Sequence, residues 1–193
     1  MAEKVYHRIT ITGDPGSGKS TFARNVAEKT GYQLITTGNI FRKLAAEKGI
    51  SLTALNELAE KQAEIDAVVD DYLKSLNGHP GNLVLDSRMG WYFIKNALKI
   101  RLTVDPEVAV ARIFQDKAHL REKFATIGEA MQEVERRRAS EISRYKSLYG
   151  VDIGDTSNFD LVINTSHKAP KDVTAEFEKV FKEYKARVGH TAS

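Results

Sequence analysis

The stretch from Thr10 to Thr21 reads Thr-Ile-Thr-Gly-Asp-Pro-Gly-Ser-Gly-Lys-Ser-Thr, with Gly13, Gly18, Lys19 and Ser20 at the fixed positions of G-x-x-x-x-G-K-[ST]. These residue types at this spacing hold phosphate. Gly13 can leave a strand in a conformation closed to residues with a Cβ, and Gly16 and Gly18 let the backbone approach a ligand closely. Such a loop turns successive N–H groups inward as an anion nest. The helix that follows adds unpaired N–H groups and the positive end of its dipole. Lys19 then reaches terminal phosphates as a point charge, and the Ser20 hydroxyl ligates Mg²⁺. A pattern this short also arises by chance, but its surroundings argue against that here. Ile9 and Ile11 alternate with Thr10 and Thr12 as in a strand, and Phe22, Ala23, Val26 and Ala27 recur at helical spacing before Gly31 closes the helix.

Further charged residues stand where they could serve the same ligand. Asn82-Leu83-Val84-Leu85-Asp86-Ser87-Arg88 reads as a buried strand ending in a carboxylate. In a parallel sheet its carboxyl end opens beside the phosphate loop, where Asp86 can order the water shell of Mg²⁺ and Arg88 offers a planar fork to an anion. The alternative is that Asp86 and Arg88 pair with each other or cap a helix. Thr37 is placed as a helix N-cap, with Arg42 near the start of that helix. A cation there opposes the dipole, so Arg42 is either a solvated arginine or the ligand of a bound anion. Arg137, Glu141 and Arg144 share one helical face at i, i+4 and i+7. Two arginines so placed either approach one polyphosphate from the side or form ordinary ion pairs with Glu141.

The elements that must carry these residues are legible from periodicity. Strands are expected at Val5–Thr12, Tyr32–Ile35, up to Asp86, Leu98–Val104 and Asp160–Asn164, each followed by helical sequence. That order defines a doubly wound α/β fold with a five-stranded parallel sheet and helices on both faces. Ser51 to Leu76 reads as two amphipathic helices, Ser51 capping the first, with Asp66, Asp70 and Asp71 read as solvated surface. Glu107 to Lys117 is helical. Thr126 and Glu129 form a capping box for a helix reaching about Leu148, and Lys168 to Arg187 is a closing helix.

The 193 residues suit one domain, with 41% hydrophobic and 28% charged residues and a net charge of +3. That balance suits an anionic small molecule and lacks the basic run a nucleic-acid surface needs. The absence of cysteine excludes disulfides and thiolate chemistry and fits a reducing compartment. No apolar run approaches membrane-spanning length. A cytoplasmic monomer is expected, with neither nucleic acid nor membrane as partner.

Taken together, the pieces resemble the nucleoside monophosphate kinases, and specifically the short, archaeal-type cytidylate kinases. The resemblance is carried by Ile11 to Thr21, by Thr37-Gly38-Asn39-Ile40-Phe41-Arg42, and by Leu83 to Arg88. It continues through Arg137-Arg138-Ala139-Ser140-Glu141-Ile142-Ser143-Arg144-Tyr145, then Tyr149 to Ile153 and Asp160 to Ser166. It implies a central sheet with a monophosphate-binding arm at about 37–77 and a lid at about 114–126. It implies ATP as phosphoryl donor, cradled with Mg²⁺ by Gly13, Asp14, Pro15, Gly16, Ser17, Gly18, Lys19, Ser20 and Thr21. Thr37, Arg42, Asp86 and Arg88 then resemble the acceptor side, and Arg137 and Arg144 the cations that gather both substrates, with Arg112 or Arg121 approaching ATP. The implied activity is phosphorylation of CMP or dCMP, with Lys19, Arg88, Arg137 and Arg144 as the catalytic set and Ser20 and Asp86 holding the metal.

Two features depart from the family pattern. Ser87 stands where a glycine precedes the arginine, and Met89-Gly90-Trp91-Tyr92-Phe93 replaces an aspartate or smaller residues. The arm is also the least similar region. Other acceptors, or a regulatory module that binds ATP without transfer, are the alternatives.

Overall fold

The computed structural model describes residues 6–50, 52–115 and 126–190. The strands are β1 (Arg8–Gly13), β2 (Gln33–Thr36), β3 (Leu83–Asp86), β4 (Leu98–Thr103) and β5 (Leu161–Asn164). They form one parallel sheet in the order β2-β3-β1-β4-β5. All carboxyl ends therefore open at one edge, and β1, which feeds the phosphate loop, lies between β3 and β4. That is the expected α/β architecture. Eight α-helices run among the described residues: α1 (Lys19–Thr30), α2 (Thr37–Glu47), α3 (Leu52–Lys61), α4 (Ala63–Ser75), α5 (Gly90–Phe93), α6 (Pro106–Gln115), α7 (Ile127–Tyr149) and α8 (Pro170–His190).

Strand alternation assigns each side chain to a face. Ile9 and Ile11 of β1, Val84 of β3, and Leu98, Ile100 and Leu102 of β4 meet α1 and α8 through Phe22, Val26, Phe177 and Phe181. Leu83 and Leu85 point the other way, onto Val69 and Leu73 of α4 and Tyr145 of α7. Both faces being covered, the threonines of β1 are as buried as its isoleucines, Thr10 at 1% exposure and Ile9 at 0%. The arm has an apolar cluster of its own, in which Ala45 of α2 packs with Leu55 and Ala59 of α3 and Ile65 of α4.

Several boundaries differ from expectation for local reasons. β2 is only partly buried, because it lies at the sheet edge with β3 as its partner. Thr36 rather than Thr37 is the N-cap of α2; the Thr37 hydroxyl instead donates to the Asp86 carbonyl at 3.4 Å. Thr126 accepts from the Glu129 N–H, as the capping box requires, and Gly31 and Gly150 close α1 and α7 in the left-handed conformation. Asp66 is not a surface carboxylate: it is 4% exposed, because α4 turns it inward with Ile65 and Val69. Asp71 is on the surface, paired with Lys74 at 3.1 Å. The Ser51 cap, Lys117, Arg121 and most of the expected lid fall outside the described residues.

Phe177 is 1% exposed, edge-on to Phe22 at 6.0 Å and stacked on Phe181 at 5.1 Å. Its truncation leaves a cavity between α8 and the sheet. Phe177→Ala is expected to lower the unfolding free energy by about 3–5 kcal/mol in urea titrations.

Candidate active site

The glycines of the phosphate loop serve distinct needs. Gly16 has φ +76°, and a Cβ there would lie 2.8 Å from the Ala109 backbone, so both conformation and space require glycine. Gly18 has φ +80° with open space around it. Gly13 departs from expectation, since its φ is not positive. It is needed for room, because a Cβ would meet Ser17 Oγ at 2.7 Å and the Leu102 carbonyl at 2.8 Å.

Surrounding donors claim the outward-facing carbonyls of the loop. Thr165 Oγ1 donates to the Ser17 carbonyl at 3.1 Å, and Arg112 Nη1 donates to the Gly16 carbonyl at 3.3 Å. Arg112 also donates to Thr165 Oγ1 and its carbonyl, at 3.0 and 2.7 Å. Arg88 Nη1 reaches the Gly13 carbonyl at 3.4 Å. Arg101 Nη2 pairs with Asp14 at 2.9 Å and stacks over Phe159. Arg101 sits mid-strand in β4, on the face opposite the α1 cluster, and is 5% exposed. Sequence reading assigned no role to Arg101, which belongs to no motif, or to Thr165, which lies in the matching stretch Asp160 to Ser166; the one signal for Arg101 was a cation in the interior of a strand.

At the loop's end Lys19 forms an ion pair with Asp86. Burial pushes the Lys19 ammonium below its ordinary pKa, against the opposing pull of Asp86. Asp86 faces α1 because it alternates with Leu85 and so shares the side of Val84. Asp86 and Arg88 do not pair with each other: Arg88 Nε bonds Glu141 at 2.8 Å. Ser20 lies on the same first turn of α1 as Lys19. Among the described residues no group of three or more His, Cys, Asp or Glu side chains is placed to hold a metal. The donor set of one hydroxyl and one carboxylate fits a hard cation that takes the rest of its octahedral shell from phosphates and water.

A cavity of about 250 Å³ opens beside Lys19. Lys19, Arg42, Arg88, Arg136 and Arg144 all line it, brought together from α1, α2, the turn after β3, and α7. Glu57, Asp66, Asp70 and Glu141 stand among them, with Phe41, Met89 and Tyr149 as flat or apolar wall. Arg42 is exposed and donates to Asn39 at 2.6 Å. Arg144 is half-buried, with Nε 3.6 Å from Asp66 Oδ2. Thus Thr37, Arg42, Asp86, Arg88 and Arg144 are brought to one place; the backbone of Arg137 lies on α7, and its side chain is outside the described set. The Ser87 hydroxyl accepts from the Gly90 N–H at 3.1 Å, giving the departure from glycine a local role at the start of α5. Trp91 turns away from the cavity toward Phe159, at 5.2 Å between ring centroids.

Asp70 accepts from Tyr149 Oη at 2.7 Å. Burial raises the Asp70 carboxyl above its ordinary range, with the Tyr149 hydrogen bond opposing. Burial and Asp70 together raise the Tyr149 phenol.

A second cavity, of about 330 Å³, lies on the other side of the loop, between Gly18, Thr21 and Phe22 on one wall and Arg112, Thr165 and Pro170 on the other.

A phosphate loop leaving the central strand of a parallel sheet, with cations converging on a cavity beside its lysine, defines a protein of the P-loop kinase fold. The shikimate kinase of Bacteroides thetaiotaomicron superposes with a TM-score of 0.60 at 15% identity, over 91% of this chain and 98% of that one. An uncharacterized protein from Eubacterium ventriosum superposes at 0.66 with 12% identity, over 93% and 99%. The chain belongs to the cytidylate kinase-like family, which it matches over residues 8–167. It is 39% identical to the cytidylate kinase of Archaeoglobus fulgidus over 82% of this chain and 85% of that protein. The cytidylate kinase of Methanocella arvoryzae is 36% identical over 92% and 98%.

Two stability measurements check this geometry. Arg101→Met leaves the Asp14 carboxylate half-buried without its partner, and is expected to cost about 3–5 kcal/mol, much of it recovered by adding Asp14→Asn. For Asp70, a raised native pKa means that the folded chain holds this proton to higher pH than the unfolded chain. The group therefore withdraws stability as pH climbs from about 4, the ordinary carboxylate value, through the raised value. Asp70→Asn is expected to gain on the wild type across that window and to level off above it, in urea titrations at stepped pH.

Proposed function

We propose that this protein transfers the γ-phosphoryl group of ATP to the phosphate of a nucleoside monophosphate, CMP or dCMP first. The observation that carries the reading is the convergence of cations from four parts of the chain on a cavity adjoining Lys19. Two phosphate groups brought together repel strongly, and their approach needs fixed positive charge on every side. A small uncharged hydroxyl acceptor has no use for that many cations.

In this reading the loop N–H groups and Lys19 hold the β- and γ-phosphates of ATP, and the second cavity, beyond Thr21 and against Arg112 and Pro170, takes its adenine. Ser20, and Asp86 through water, would hold Mg²⁺, which would supply positive charge against the phosphate oxygens. Binding of the polyphosphate draws Lys19 from Asp86 to the phosphates, leaving that carboxylate free to order the metal's water. Arg42 and Arg88, with the Thr37 hydroxyl, hold the acceptor phosphate; Arg137 and Arg144 approach from α7. The acceptor oxygen is already anionic, so transfer is in line and needs no strong base. Residues about 114–126 serve as the lid that excludes water, against wasteful hydrolysis. The enzyme acts as a cytoplasmic monomer.

Coupled ADP release with ATP and Mg²⁺ against CMP, dCMP, UMP, AMP and GMP is the test. Turnover is expected with CMP or dCMP; silence with every nucleotide sinks the reading. Arg42→Gln, an exposed change that spares the core, is expected to lower kcat/KM for CMP by about 10²-fold with the KM for ATP unchanged. Lys19→Met is expected to lower kcat by about 10²- to 10³-fold.

A further inference from the structure

Four carboxylates line the acceptor cavity, and three are already accounted for. Glu141 is bonded by Arg88 at 2.8 Å, Asp70 by Tyr149 at 2.7 Å, and Glu57 is exposed. Asp66 is different. It is 4% exposed, and its Oδ2 has no hydrogen-bond partner. Among the described residues its ion-pair partner is Arg144, with Nε at 3.6 Å, beyond hydrogen-bond range, and that Nε is itself buried and without a hydrogen bond. Burial raises the Asp66 carboxyl above its ordinary range, against the pull of Arg144. An unserved buried acceptor beside an unserved buried donor is costly for the protein alone and strongly attractive to a ligand of the opposite pattern.

We propose that Asp66 and Arg144 together read the base of the acceptor, Asp66 accepting from an exocyclic amino group and Arg144 donating to the ring nitrogen beside it. This rests on the reading that a nucleoside monophosphate occupies the cavity, and it assigns Arg144 to the base rather than to phosphate. The pattern required is an amino donor next to a ring-nitrogen acceptor. Cytosine presents it as the 4-amino group and N3, and adenine as the 6-amino group and N1. Uracil and guanine present the reverse, a carbonyl oxygen beside a ring N–H, and would set two acceptors against each other at Asp66. The arm, through α4, is thus the source of base selection, and the stretch Met89 to Phe93 does not need an aspartate for that purpose.

The test compares kcat/KM for CMP, dCMP and UMP in the wild type and in Asp66→Asn, whose amide can turn a donor toward a carbonyl oxygen. The CMP:UMP ratio is expected to fall by about 10²-fold, with UMP gaining in absolute terms. An equal loss for all acceptors would mean that Asp66 only anchors Arg144, and a shift confined to CMP against dCMP would place it at the ribose; either overturns the assignment. Asp66→Asn leaves Arg144 without its counter-ion, so a second arm uses the unaltered protein. The probe is pyrimidin-2-one ribonucleoside 5′-monophosphate, which is CMP without its 4-amino group. It is expected to lose about 10²-fold in kcat/KM relative to CMP, and equal use of both overturns the proposal. A wild type inactive toward CMP overturns the functional reading itself, whereas a wild type active on CMP with unmoved selectivity overturns the base assignment alone.

Discussion

A lysine at the start of α1 and a carboxylate at the end of β3 neutralise each other at the centre of the site, and the geometry around them follows from that pair. Both groups are largely removed from water, where neither charge is tolerable alone. They meet because β1 and β3 are parallel neighbours, with Ile11 beside Asp86 in the register, and because β3 turns Asp86 to the face that α1 covers. Either charge can leave the pair only if another of the same sign takes its place.

Holding a glycine-rich loop open for a ligand requires that its other groups be satisfied elsewhere. Thr165 and Arg112 serve the Ser17 and Gly16 carbonyls from the far side, and Arg101 grips Asp14 from beneath. The loop is therefore pinned by three elements distant in sequence. Within the loop the Ser17 N–H donates to the Asp14 carbonyl and the Asp14 N–H to the Leu102 carbonyl, each at 3.1 Å, which fixes its shape.

Helix α7 links this centre to the arm. Glu141 bonds Arg88 near the loop, Arg144 faces Asp66, and Tyr149 bonds Asp70, so one helix face touches both the turn after β3 and α4. The sequence spacing of Arg137, Glu141 and Arg144 placed them on one face but left open whether they paired internally. Glu141 bonds Arg88, because the turn after β3 brings a guanidinium within reach.

The phosphate loop, the strand that feeds it and the helix that follows were legible from residues alone, since each is local: a period of two, a glycine pattern, a period of 3.6. So were the five strands, the parallel sheet they imply, and the capping box at Thr126. What local pattern does not carry is which partner meets a charged side chain across the fold. Asp66 reads as surface in sequence because an acid at one turn of an amphipathic helix is usually solvated; only the packing of α4 against α7 buries it beside Arg144. Gly13 reads as a conformational glycine, and its neighbours Ser17 and Leu102 make it a matter of space. Arg101 carries no motif, yet the pairing of β1 with β4 sets it under Asp14. Sequence determined the elements and the chemistry of the loop, because those depend on neighbours along the chain. Tertiary structure decided which charges meet and which stay unpaired, because that depends on neighbours across the sheet.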